Sequence, residues 1–326
     1  MTMPIPRTEP EAGLPAHVRI FEVGPRDGLQ AEADIIPADV KIELCRRLFD
    51  AGVRDLEITS FVPPAWIPQL ADAAEVAAGV EAPAGARRVA LVPNLQGLQR
   101  ARDSGLREVS VVVSATDTFA QANLNTTREG ALVRAEEVVV AAVSACMPVR
   151  GYVSMAFGDP WEGEVAVDLV TTAARRLHDA GCTTIALGDT IGVATPGLTT
   201  RVVAETIAAG VPVEDLALHL HDTYGQSLAN VYAALQAGVT EFDAAVGGLG
   251  RCPYAKGATG NLPTEDLVWM LDGLGIQTGI DVHALAATTL WLSRIRGVRA
   301  PSNVATALAA AGAGETASIT PKETMQ

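Results

Sequence analysis

The chain has no C-x-x-C pair, no G-x-G-x-x-G and no apolar run near the ~18 residues of a membrane span. Its four cysteines, Cys45, Cys146, Cys182 and Cys252, are too few and too scattered in 326 residues for a disulfide framework. Reduced thiols and a cytoplasmic setting are expected. Aromatic residues make up only 4%, which argues against a base-stacking platform and leaves Ala, Val, Leu and Ile to build the core. Basic residues are also scarce: 24 Lys and Arg stand against 38 Asp and Glu, a net charge of −14. A nucleic-acid surface needs the opposite sign. Residues 1–17 are Pro-rich and partly acidic, without the apolar core of a signal peptide or the Arg/Ser bias of a transit peptide. The last residues, GAGETASITPKETMQ, are polar, carry no address signal and are expected to fray.

What is present points to one repeating unit. Hydrophobic residues reach 48%, so a wholly disordered chain is excluded. Short β-branched runs read as strands at 18–24, 53–60, 87–93, 107–115, 149–157, 183–190, 216–222 and 241–247. Between them, stretches such as PADVKIELCRRLFDAG have the i, i+3, i+4 apolar spacing of helices. Gly52, Gly105, Gly181 and Gly238 are expected to close helices before the next strand. Parallel strands need such crossovers. A doubly wound sheet usually has fewer units and a Gly-rich fingerprint after its first strand, whereas here the first turn reads GPRDGLQ. Eight units predict a closed (β/α)8 barrel, with residues beyond about 275 adding helices on the barrel or on a partner. The expected division is a flexible segment 1–17, a barrel domain 18–311 and a flexible tail 312–326.

In such a barrel the strands' C-terminal ends carry the active site. Five of the eight ends carry unusual polar residues: Arg26-Asp27, Glu57 with Thr59-Ser60, Asp189, His219-x-His221-Asp222, and the Gly-rich stretch 247–261. His219 and His221 share one strand face, so both imidazoles could reach one ion. With Asp27 and Asn261 they make a two-nitrogen, two-oxygen donor set suited to Mg2+ or Mn2+. A non-haem Fe(II) oxygenase uses a similar trio, but usually on an all-β scaffold. Cys252, before Pro253 and among glycines, reads as a small apolar residue or as a reactive thiol. The other three cysteines read as packing, and His17 and His178 as solvated. Glu57 lies on an interior strand, where a carboxylate needs a partner; Arg26 is the candidate. Asp189 precedes the helix at 196–209 by too much to cap it, so a contact behind the metal site or with substrate is expected.

The segments VGPRDGLQ, LEITSFV, PNLQG, LGDTIGVATPG, HLHDTYGQSLANVYAAL and GLGRCPYAKGATGNLPTEDLVWML resemble the 3-hydroxy-3-methylglutaryl-CoA lyase family, from about Arg19 to Leu308. The resemblance implies a TIM barrel, a divalent metal, and retro-Claisen cleavage of a 3-hydroxyacyl-CoA to acetyl-CoA and a keto acid. By position, Asp27, His219, His221 and Asn261 match metal ligands, Arg26 the enolate stabiliser, Glu57 a support residue and Cys252 the catalytic thiol. Asp27 or His219 is the expected base. Gln30, Asp189 and Arg251 are expected at the substrate, and a homo-oligomer, dimer or higher, is expected. Three departures fall around the substrate: Arg251 replaces a glycine of the family, Ala33 a lysine, and Gly158-Asp159-Pro160-Trp161 a cysteine-containing turn. The acyl group therefore stays open. The alternatives are a related aldolase or Claisen-type condensing enzyme, a lyase for another ester such as citramalyl-CoA, or a scaffold barrel with a relict site. A relict site should lack a ligand or the thiol, and none is missing.

Overall fold

A computed structural model describes residues 5–250 and 260–316, with side-chain surroundings through residue 311. Eight parallel strands close into a barrel in chain order: β1 Arg19–Glu22, β2 Asp55–Ser60, β3 Arg87–Leu91, β4 Glu108–Ser114, β5 Val149–Ser154, β6 Thr184–Asp189, β7 Leu216–Leu220 and β8 Glu241–Ala244. Closure comes from β1 pairing with β8, Arg19 opposite Glu241. The helices are α1 Ala38–Asp50, α2 Ala73–Gly79, α3 Leu95–Asp103, α4 Asp117–Leu124, α5 Arg128–Ser144, α6 Val167–Ala180, α7 Pro196–Ala208, α8 Ser227–Gln236, α9 Thr264–Gly273, α10 Val282–Arg296 and α11 Asn303–Thr316. The (β/α)8 expectation is met, with α10 and α11 as added helices.

Local chemistry explains the elements. In α6, Val170, Ala173, Ala174 and Leu177 form one buried stripe at i, i+3, i+4, i+7. α7 starts with Pro196 after Thr195, whose hydroxyl accepts from Leu198 N. Gly52, Gly105, Gly181 and Gly238 all take positive φ, as helix-closing residues do. No helix among the described residues is long and apolar enough to cross a membrane. The stretch read as a flexible N-terminal segment makes hydrogen bonds from Thr8 onward: Glu9 N donates to Gly273 O, and Gln277 N to Ala16 O.

Two expectations need correction. Cys45 and Cys182 are buried as packing residues, but Cys146 is exposed, at φ 57° just past α5. His178 is not free in solvent; its Nε2 lies 3.1 Å from Asp215 Oδ2. The layer between strands and helices is aliphatic, as composition requires. The barrel's interior is not. Arg150 on β5 bonds Glu241 and Asp243 on β8, a non-neighbouring strand, so this network spans the interior.

Candidate active site

The site is built on the ends of β1, β2, β7 and β8. After β1 the chain makes one π-type turn, Gly24–Gly28, which carries Arg26 and Asp27. The turn fits closely: a Cβ on Gly24 would lie 2.5 Å from Glu22 Oε1, so a side chain there would have to displace that buried carboxyl. Arg26 is anchored on two sides. Nε donates to Glu57 Oε2 at 2.5 Å and Nη1 to Asp27 Oδ1 at 2.7 Å. Ser110 donates to the other Glu57 oxygen. Burial is the largest influence on Glu57 and holds its carboxyl above the ordinary value, although Arg26 and Ser110 pull it down. Asp27 goes the other way: burial would raise it, but Arg26, His219 and His221 together hold it well below the carboxylate range.

His219 and His221 project from β7 and its end into the same pocket. Their Nε2 atoms are 3.3 Å apart, and His219 Nε2 is 4.0 Å from Asp27 Oδ2. One donor atom from each of Asp27, His219 and His221 lies within 4.8 Å of the others. Two imidazole nitrogens at 3.3 Å need a proton or a cation between their lone pairs. Asn261 completes the wall, brought in by a bridge between His221 and Asn261. Its Nδ2 donates to Asp27 Oδ2 at 2.8 Å and to Leu249 O at 3.0 Å. That leaves Asn261 Oδ1 buried and, among the described residues, without a hydrogen-bond partner. An orphaned buried acceptor costs free energy unless something donates to it. Gly250, at φ 110°, lets the chain pass Asn261; a Cβ there would meet Nδ2 at 2.6 Å.

The two histidines are not equivalent. Burial lowers both, yet the Asp243 hydrogen bond and the nearby carboxylates bring His219 above its ordinary value. His221 lacks such a partner and, by burial and then the His219 charge, is pushed down to about 4. A divalent cation beside Asp27 fits the two-nitrogen, two-oxygen donor set.

The other candidates lie as follows. Gln30 is half-buried just past the turn. Asp189 is buried at the end of β6, where Oδ1 accepts from Val193 N at 2.9 Å and Oδ2 from Ala194 N at 3.1 Å. Both its oxygens thus hold the loop that follows β6, and burial brings its carboxyl up to about 6. Arg251 and Cys252 lie outside the described residues. Sequence reasoning missed Asp243, Arg150, Tyr152 and Ser110. Arg150 and Tyr152 alternate along β5, as Glu241 and Asp243 do along β8, and that period of two was their only local signal.

Comparisons with known proteins agree with this geometry. The profile of the HMGL-like family matches residues 17–290. The cytoplasmic 3-hydroxy-3-methylglutaryl-CoA lyase of Rattus norvegicus is 49% identical over 272 residues, 83% of this chain and 79% of that one. The 3-hydroxy-3-isohexenylglutaryl-CoA/hydroxy-methylglutaryl-CoA lyase of Pseudomonas aeruginosa is 47% identical over 297 residues, 91% of this chain and 99% of that one. A crystal structure of hydroxymethylglutaryl-CoA lyase from Pseudomonas aeruginosa superposes with a TM-score of 0.89 at 46% identity, covering 92% of this chain and 99% of that one. With profile, relatives and barrel geometry in agreement, the chain belongs to the HMGL-like family of lyases.

Proposed function

We propose that this protein cleaves 3-hydroxy-3-methylglutaryl-CoA, or a close 3-hydroxyacyl-CoA, into acetyl-CoA and a keto acid, acetoacetate for the former substrate. The observation that carries this reading is the convergence of Asp27, His219 and His221 beside the doubly anchored Arg26. Asp27, His219, His221 and Asn261 would hold Mg2+ or Mn2+. When bound, the ion would chelate the substrate's hydroxyl and carboxylate and make the hydroxyl more acidic.

The chain's own groups account for the remaining steps. Asp27 receives the hydroxyl proton as the C2–C3 bond breaks, because the two ring nitrogens of His219 are committed to Asp243 and to the ion. The electron pair of that bond passes to the thioester as an enolate, and C3 becomes the ketone. Arg26, with Nε and Nη1 already committed, offers Nη2 to the enolate oxygen, an interaction worth ~3 kcal/mol by analogy with oxyanion donors. Because Glu57 and Asp27 fix the guanidinium beforehand, little reorganisation is needed as charge develops. The Cys252 thiol then gives its proton to the enolate carbon, releasing acetyl-CoA. Gln30 and Arg251 are assigned to the substrate. Asp189 serves it by shaping the β6 loop through Val193 and Ala194. A cytoplasmic setting and a homo-oligomer, dimer or higher, belong to the same reading.

The test is acetyl-CoA release from a panel of 3-hydroxyacyl-CoA esters with Mg2+ or Mn2+ present. The panel includes citramalyl-CoA and an isohexenyl-substituted ester, because the name of the Pseudomonas relative joins that substituent to the methyl one. Release of acetyl-CoA and acetoacetate from the methyl ester is expected. No release from any ester would overturn the proposal.

A further inference from the structure

We propose that Asp243 is a positioning residue that fixes the tautomer of His219 and so turns its Nε2 lone pair into the metal pocket. The inference rests on the metal reading above and concerns a residue outside the ligand set. His219 on β7 and Asp243 on β8 are paired in register, so their side chains leave the sheet side by side on the interior face. Asp243 Oδ2 lies 3.0 Å from His219 Nδ1. Asp243 is 1% exposed, so no bulk water competes for that contact. Its other oxygen is also taken: Arg150 donates Nη2 to Oδ1 and Nη1 to Glu241.

A carboxylate can only accept, so the proton of a neutral His219 sits on Nδ1. Nε2 is then a bare lone pair, facing His221 Nε2 and Asp27 Oδ2. Tyr152 packs edge-on against the same ring, with centroids 5.9 Å apart at 81°. The ring is therefore held at one nitrogen and along its face. His221 provides the contrast: its buried Nδ1 has no hydrogen-bond partner among the described residues, and without an ion its Nε2 carries the proton that faces His219, a proton it must give up when an ion binds. One histidine is thus preset for the ion and the other adjusts to it. The chain reaches this arrangement through Arg150, which crosses from β5 to hold the carboxylate in place.

The substitution Asp243→Asn tests this with almost no change in shape. Arg150 will keep the amide oxygen, so the amide nitrogen must face His219 Nδ1. Two donors cannot share that contact. The proton moves to Nε2, where it occupies the ligand position. Histidine tautomers are read by 15N NMR on the metal-free full-length protein, and Mn2+ affinity by EPR titration of the same samples. Expected for Asp243→Asn are a switch of His219 from the Nδ1–H to the Nε2–H signal and Mn2+ binding ~10–100-fold weaker. Should the amide variant not fold, Asp243→Ala with and without added formate replaces it. Recovery of Mn2+ affinity by formate supports the role, and no recovery in a folded variant counts against it. An unchanged tautomer together with unchanged Mn2+ affinity overturns the proposal. If the wild-type protein itself binds no Mn2+, the metal reading fails, and the NMR comparison still decides whether Asp243 sets the tautomer.

Discussion

Arg26, in the turn after β1, and Glu57 on β2 are joined by a 2.5 Å hydrogen bond, with the carboxylate fully buried. The bond aims Arg26 rather than merely neutralising it, because Nη1 is tied to Asp27 at the same time. A lysine could match the charge but not the planar fork. Arg26→Lys is expected to lower kcat by ~10²–10³-fold. KM should move far less, because the interaction develops mainly in the transition state. Steady-state kinetics check this; a loss confined to KM would move Arg26 from transition-state stabilisation to simple binding.

Removing metal should act on both activity and stability. Exhaustive chelation is expected to abolish turnover, and Mg2+ or Mn2+ to restore it. Because the ion would bind the folded state, adding it at 100 times its Kd should stabilise by ~2.7 kcal/mol and raise Tm. Full activity after chelation, with no metal found by elemental analysis and no Tm change on adding Mn2+, would refute the site.

A pH effect should come from below the catalytic layer. Burial raises the carboxyls of Glu22 and Glu265 from 4.5 to about 7. Glu22 accepts from Gly24 N, Val246 N and Thr264 Oγ1, joining the Arg26-Asp27 turn to both ends of the β8 loop. Glu265 accepts from Gly247 N with both oxygens. A carboxyl whose folded pKa lies above its unfolded one favours the folded state while protonated. Its contribution is full below about 4.5 and is lost as pH rises through 7. Per group this is on the order of 3 kcal/mol. Glu22→Gln keeps acceptors for the two amides and removes the titration. The difference in Tm, variant minus wild type, is therefore expected to grow between pH 5 and pH 8. Parallel Tm curves across that range would contradict it.

Cys252 is tested by its chemistry alone. A serine hydroxyl is a far weaker acid than a thiol. Cys252→Ser should keep the fold and Mn2+ binding but lose ~10²–10⁴ in kcat, the usual span of general acid catalysis. A serine variant within a few-fold of wild type would reduce Cys252 to a packing residue.

The barrel was legible because its evidence is local. Strand and helix periods, the glycines that close helices at 52, 105, 181 and 238, and the absence of a phosphate-binding fingerprint each need only neighbouring residues. The polar strand ends were legible for the same reason: His219 and His221 share a face at spacing two, and Arg26-Asp27 sits just past its strand. Glu57 could be matched with Arg26 because a carboxylate on an interior strand needs a cation.

By itself, then, the sequence determined the number of units, the faces of each strand and the end of the barrel where the chemistry lies. These follow from side-chain period, turn chemistry and charge. Tertiary structure decided which faces meet. Asp243 stands beside His219 only through the β7–β8 register, set 24 residues apart, and Arg150 reaches Asp243 only because the sheet closes. Register and closure depend on the whole sheet at once, so a local pattern cannot contain them.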